Sequence, residues 1–289
     1  MTATGPAPTL RLGVAQLAPR LRAVDENAAM IAAAAAAAAA DLLVTPELSL
    51  TGYELGDAVH VLACGAAPGT RLRVGGLERA PGLLVVGLPE NDIGGPYNTA
   101  AALHRGAVVF RHRKLYLPTY GMFDEGRWFG RGSTVDAWTM PSGWRVGILI
   151  CEDFWHPALA YLLAAHGIEL LLVPAAAAGR GVWAAGAHSA FASNDAWERI
   201  ARTTAQLYGI YVALANRVGV EGGVTFSGGS LIVGPDGAIL QRADERTPTT
   251  LLAELSRAEL ARARRPYAHA RDDDQHLVAR ELARLIQAR

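Results

Sequence analysis

The sequence predicts an α/β layered fold, and three observations carry that expectation. Short apolar runs rich in leucine, valine and isoleucine alternate with helical stretches from one end of the chain to the other. Many of those runs are apolar without alternation, so their strands should be buried on both faces, as in sheets covered by helices. The chain has 289 residues and is 51% hydrophobic, material for one large core. A single domain over residues 1–289 is expected, with residues from about 262 to 289 as a C-terminal extension or arm.

The first strand is expected in LRLGVAQL, followed by a helix that Asp25 opens and that runs through the alanine tract Ala32 to Ala40. That tract looks like low complexity, but alanine is the best helix former and an unbroken run makes a close-packing helix. DLLVTPEL supplies the next strand, and GLLVVGLP and TAAALHRGAVVFRHR follow around the turn Gly94-Gly95-Pro96. WRVGILIC is a strand ending at Cys151, and Pro157 with ALAYLLAAH opens a helix over residues 157 to 166. IELLLVPA, a helix over 194 to 208, IYVALANRV and GSLIVGPDG continue the pattern, the last closing on the turn Gly234-Pro235-Asp236-Gly237. TLLAELS is the final strand, before arginine-rich helical pieces near 256 to 265 and 272 to 288.

Charge removes several function classes. Twenty-seven acidic residues balance twenty-seven basic ones, leaving no net field to recruit nucleic acid or an anionic membrane. The N-terminus shows no signal-peptide pattern and no run has the length of a membrane span, so a soluble, cytoplasmic protein is expected. Two cysteines, Cys64 and Cys151, are too few for a disulfide framework, and no CxxC, HExxH or Cys/His cluster implies a metal or other cofactor. Lys114 is the single lysine among the basic residues, which marks a place where a compact ammonium is needed and a planar guanidinium would not fit.

Three strands each end in one reactive polar residue: Glu47 after DLLV, Lys114 after VVF, and Cys151 after GILI. A carboxylate beside a thiol can take its proton, and an ammonium can hold a thiolate or an oxyanion. Cys151 at a strand-to-helix turn should also meet helix N-terminal amides, which lower a thiol's pKa. Cys64, among small apolar neighbours, has no activating group. A cysteine-histidine pair using His156 or His188 is the weaker alternative, since neither sits at a strand end.

The segments LGVAQ, PELSLTGYELGD, VGLPE with YNTAAAL, RKLYLPTYGMFDEGRWF, CEDFWHP and NRVGVEGGVTFSGGSLIVGPDG together resemble the nitrilase superfamily of carbon-nitrogen hydrolases. The resemblance covers residues 10 to about 240 and is closest to the glutamine-amidase domain of glutamine-dependent NAD synthetases. It implies a four-layer αββα sandwich, a homodimer or larger homo-oligomer, and a catalytic triad falling on Glu47, Lys114 and Cys151. It further implies that Glu125 supports the lysine, while Tyr120, Phe123, Glu152 and Trp155 line the substrate pocket. After IELLLV the chain departs from the synthetase amidase domains, reading PAAAAGRGVWAAG where they carry a serine-containing segment and a basic pattern that grip glutamine. Alanine side chains cannot hydrogen-bond a polar substrate, so glutamine is left open. No GxxxxGK[ST] phosphate loop occurs, and a synthetase domain is not expected.

The expected activity is therefore cysteine-dependent hydrolysis of a small-molecule carboxamide through a thioester, without metal or cofactor. The same triad could serve nitrile hydrolysis, N-carbamoyl cleavage, acyl transfer to an amine, or ammonia supply to a separate synthetase. The non-enzymatic alternative is an inactive binding or assembly module, which an intact Glu, Lys and Cys set argues against.

Overall fold

In the computed structural model, which describes residues 9–72, 74–181, 191–266 and 269–288, the apolar runs pair into two six-stranded sheets and a two-stranded ribbon. The first part of the chain gives β1 (Thr9–Gln16), α1 (Val24–Ala38), β2 (Leu42–Val44), the short α2 (Val59–Leu62), β3 (Leu83–Asp92), β4 (Gly95–His104), β5 (Ala107–Arg113) and the one-turn α3 (Glu125–Trp128). The middle gives β6 (Ala137–Thr139), β7 (Arg145–Ile148), α4 (Pro157–Ala165), β8 (Leu170–Ala175), α5 (Ala192–Tyr208) and β9 (Tyr211–Asn216). The ribbon strands β10 (Val218–Glu221) and β11 (Val224–Ser227) follow, then β12 (Leu231–Val233), β13 (Ile239–Arg242), β14 (Thr249–Ser256), α6 (Arg257–Arg264), α7 (His269–Asp272) and α8 (Gln275–Gln287).

One sheet has the order β14-β1-β2-β3-β4-β5 and the other β13-β12-β9-β8-β7-β6. Their parallel centres, β1-β2-β3 and β7-β8-β9, are the runs without alternation, and residue polarity shows why. Along β2 and β3, Leu42, Val44, Leu83 and Val85 face the second sheet, where they share one core with Val146, Ile148, Leu170 and Leu172. Leu43, Leu84 and Val86 point the other way onto Ala28, Ile31 and Ala35 of α1. On the far side of the second sheet, Leu159 and Leu163 of α4 and Trp197, Ala201 and Ala205 of α5 join the core. The layers are therefore helix, sheet, sheet, helix, and the alanine tract is the part of α1 that lets it lie close to its sheet.

Asp25 does not cap α1. The capping position is Ala23, without a side-chain hydrogen bond, and Asp25 and Glu26 occupy the first turn, where the helix dipole favours an acid. The helical piece expected over 272 to 288 is α8, which begins later because Asp274 accepts from Leu277 N (2.9 Å) and caps it, and the one-turn α7 lies ahead of it. Along α8, Leu277, Val278, Leu282, Leu285 and Ile286 are exposed. Among the described residues no helix is long and apolar enough to cross a membrane.

The topology brings polar strand ends together. β4 and β5 each reverse direction, so β5 runs the same way as β2 and β3, and the segments leaving β2 and β5 emerge on one edge. Those leaving β7 and β8 emerge together in the facing sheet. Gly87 of β3 seats the turn that leaves β2. A Cβ there would lie 2.3 Å from Leu48 N and 2.5 Å from Pro46 O, so only glycine lets this backbone pass.

Candidate active site

Glu47 lies in the turn after β2, which is pinned from both sides. Thr45 N and Oγ1 donate to Val85 O, each at 2.9 Å, and Gly87 N donates to Ser49 Oγ (3.2 Å). Leu48 completes the turn at φ 48°. The Glu47 side chain is buried: Oε1 accepts from Lys114 Nζ (2.7 Å) and Asn98 Nδ2 (2.8 Å), and Oε2 accepts from Ala176 N (3.0 Å). A carboxylate oxygen has about two lone pairs, so Oε1 is filled and Oε2 keeps one for a further partner.

Lys114, the chain's only lysine, follows β5 and is 0% exposed. Its backbone is tied to β4 by Lys114 N donating to Asn98 O (2.8 Å), and Nζ donates to Glu125 Oε1 (2.6 Å) as well as to Glu47. Burial alone would depress this amine, but the Glu125 and Glu47 carboxylates outweigh it and raise its pKa well above the usual range, so the ammonium persists. Glu125 opens α3, and burial pushes its carboxyl up to about 7 against the pull of Lys114. Tyr53 OH donates to the same Glu125 oxygen.

Cys151 leaves Ile150 of the β7 strand end at φ 46°, a left-handed conformation that a residue with a side chain adopts only when its surroundings impose it. It starts a short 3₁₀ turn, Cys151–Trp155, ahead of α4. The expectation that helix amides lower its pKa is not met. Burial, then the Glu47 charge, push the thiol well above its ordinary value, and Lys114 and the Ala176 N–H do not offset them. Burial thus favours the protonated thiol.

Glu47 Oε2 is tied to Ala176 N just past β8, and the Glu47 charge acts on the Cys151 thiol, so the two side chains are neighbours. Lys114 bridges Glu47 and Glu125 alongside. Cys151 forms part of the wall of a cavity of about 230 Å³, which Tyr120, Phe123, Glu152 and Trp155 also line. Tyr120 OH donates to Glu152 Oε2 (2.6 Å), and burial and that bond push the Tyr120 phenol up to about 12. His156 stacks on Tyr116 instead, its ring centroid 3.4 Å away, and is not among the residues lining this cavity. His188 and Trp183 lie outside the described residues. Cys64 is half-buried and its thiol is raised by burial.

Sequence reasoning missed Tyr53, Asn98, Ala176, Arg180 and Trp197. Tyr53 and Asn98 stand inside the segments TGYELGD and YNTAAAL, but nothing local shows that they reach Glu125 and Glu47. Arg180, the only charged residue of PAAAAGRG, was overlooked among alanines, yet it lines the cavity with its guanidinium 5.1 Å from the Phe123 ring centroid. Arg217 is buried too, and Nη1 donates to Glu221 Oε2 (3.0 Å) while Glu221 Oε1 accepts from Tyr53 N (2.8 Å). That pair anchors the backbone from which Tyr53 reaches Glu125.

The sequence model of the carbon-nitrogen hydrolase family matches residues 11–265. The chain belongs to this family. The carbon-nitrogen hydrolase is 31% identical over 245 residues to a glutamine-dependent NAD(+) synthetase of Rhodobacter capsulatus, a match covering 79% of this chain and 40% of that protein. It thus spans less than half the length of that relative. It is also 32% identical to a hydrolase encoded in the pqqF 5′ region of Pseudomonas protegens, covering 80% of this chain and 77% of the relative. Among solved structures it resembles an amidase of the nitrilase superfamily from Nesterenkonia sp. AN1, with 27% identity, a TM-score of 0.75, and coverage of 96% of this chain and 99% of that one. A glutamate-to-glutamine mutant of that amidase carries the acetamide moiety of fluoroacetamide on its active-site cysteine. The chain thus shares its family and fold with the nitrilase-superfamily hydrolases.

Proposed function

We propose that this carbon-nitrogen hydrolase cleaves a small-molecule carboxamide through a thioester on Cys151, with Glu47 as general base and Lys114 as the positive partner. What supports the reading above all is that Glu47 Oε1 is saturated by Lys114 and Asn98 while Oε2 takes a single bond, from Ala176 N, and that the Glu47 charge acts on the buried Cys151 thiol. Oε2 is then the oxygen left to take the thiol proton as sulfur attacks the carboxamide carbon. The oxyanion is held by Lys114 and the Glu152 amide, protonated Glu47 gives its proton to the leaving amine, and the same carboxylate activates the water that hydrolyses the thioester. Glu125 keeps Lys114 charged and in place. Acid-quenched intact mass during turnover should find one acyl group on Cys151, with ammonia released in a burst of roughly one equivalent per site. Nitrile or N-carbamoyl turnover with no amide turnover would set the amide reading aside.

The cavity wall carries an acid, Glu152, and a base, Arg180, above apolar walls of Phe123 and Trp197. That arrangement favours an amide whose far end carries both charges, as glutamine does, and Arg180 supplies donors that the alanines around it lack. Such an activity would let the chain supply ammonia to a separate synthetase. Arg180→Ala should raise KM for glutamine about tenfold, as expected for a partly solvated charged hydrogen bond, and leave a neutral amide such as butyramide within about threefold. Equal changes for both amides would assign Arg180 no part in substrate choice. A homodimer or larger assembly belongs to the same proposal, and the exposed apolar row of α8 offers a surface for it.

A further inference from the structure

The Cys151 turn is strained, so something must hold it, and the group that does so has no part in the chemistry proposed above. Asp153 is 0% exposed and lies two residues beyond the thiol. Its Oδ2 accepts from Ile150 N (3.1 Å) and faces His112 Nε2 (3.0 Å). Its Oδ1 accepts from Leu115 N and Tyr116 N, each at 2.9 Å. Ile150 immediately precedes Cys151, and Leu115 immediately follows Lys114. A single carboxylate therefore joins the turn leaving β7 in one sheet to the segment leaving β5 in the other.

We infer that Asp153, itself held by the buried His112, is the positioning residue that fixes the Cys151 turn against the Lys114 segment. The inference rests on reading Cys151 as the nucleophile and Lys114 as its partner. An ionised carboxylate only accepts, through about four lone pairs, and here two donors meet each oxygen, so its capacity is filled. His112 must present Nε2–H to it, which fixes the ring's tautomer or charge. An asparagine amide keeps one accepting oxygen and turns an NH₂ toward the other two donors. It can retain Leu115 and Tyr116 but must release Ile150 or turn it toward another donor. The left-handed Cys151 backbone then loses one of the two bonds that hold its neighbour Ile150, leaving only the one that Asp153 N donates to Ile150 O (2.9 Å).

The test compares Asp153→Asn, His112→Leu and His112→Gln in the intact chain, with kcat expressed per active site counted by the acyl burst. A shift of the thiol by about 1 Å predicts that Asp153→Asn loses about 100-fold in kcat, with KM changed less than about threefold. His112→Leu, which removes one of four donors, should lose about tenfold in kcat, and His112→Gln, whose amide N–H can replace Nε2–H, should recover most of that loss. A purely structural role would lower thermal stability and the number of titratable sites while leaving kcat per site unchanged, and that result overturns the inference. If Asp153→Asn does not fold, the histidine pair decides, and wild-type kcat in both variants is equally fatal. Cys151→Ala separates the two readings. Activity in that variant defeats the nucleophile assignment, whereas an inactive Cys151→Ala beside a fully active Asp153→Asn defeats only the role of Asp153.

Discussion

Replacing Cys151 with alanine should lower amide turnover by at least about 10⁴-fold while leaving the fold and the substrate cavity in place. The scale follows from the mechanism: without sulfur no covalent intermediate forms, and what remains is the weak catalysis of a site that only binds and polarises an amide. Alanine is the right probe because the position is 7% exposed and packed in the central core, so removing one atom leaves only a small void. Alanine at φ 46° bears the same backbone strain as cysteine, which removes one way the fold could change. Losing the thiol also removes a group whose ionisation burial opposes. The variant should melt within a few degrees of the parent and still bind substrate, as calorimetric titration with the preferred amide would show. Retention of more than a small fraction of ammonia release would remove Cys151 from the mechanism.

The strand runs and the three strand-end residues were legible because each rests on local sequence: apolar length, a proline opening a helix, one lysine in an arginine-rich chain. Their convergence was not local. It depends on the β4–β5 reversal, which returns Lys114 to the Glu47 edge, and on two sheets packing face to face so that Cys151 arrives from the other one. Residue types also mislead where the backbone does the work. The segment after β8 reads as inert alanine, yet its contribution is the N–H of Ala176. The pKa of Cys151 failed for a similar reason: a helix opening is visible in sequence, whereas burial beside Glu47 is a property of the assembled core. The ribbon β10–β11 carried a readable signal, Gly222-Gly223 between two β-rich runs, although its strands are short.

Lys114→Arg should keep the charge and lose the catalysis. Nζ sits 2.7 Å from Glu47 Oε1 and 2.6 Å from Glu125 Oε1 in a site with no exposure, so a longer, planar guanidinium must displace one of its neighbours. Overpacking of that kind costs on the order of 1–3 kcal/mol, and a shift of about 1 Å in Glu47 or Cys151 costs about 100-fold in kcat. Lys114→Met isolates the charge. It leaves two buried carboxylates without a cation, a loss of about 3–5 kcal/mol for a broken buried pair. The pH dependence follows the sign of the Glu125 shift. Its carboxyl is already raised from 4.5 to about 7 with Lys114 present, and it rises further without the ammonium. A raised acid binds its proton more tightly in the folded chain than in the unfolded one, so its contribution to stability is complete below the ordinary carboxyl range and is lost as pH rises from there through about 7. Lys114→Met should therefore recover more stability on acidification from pH about 7 to about 5 than Lys114→Arg, whose retained cation opposes the rise of the Glu125 carboxyl. Denaturant melts at the two pH values, read beside kcat, decide the point: near-parental turnover in Lys114→Arg would show that a fixed, compact ammonium is not what this site requires.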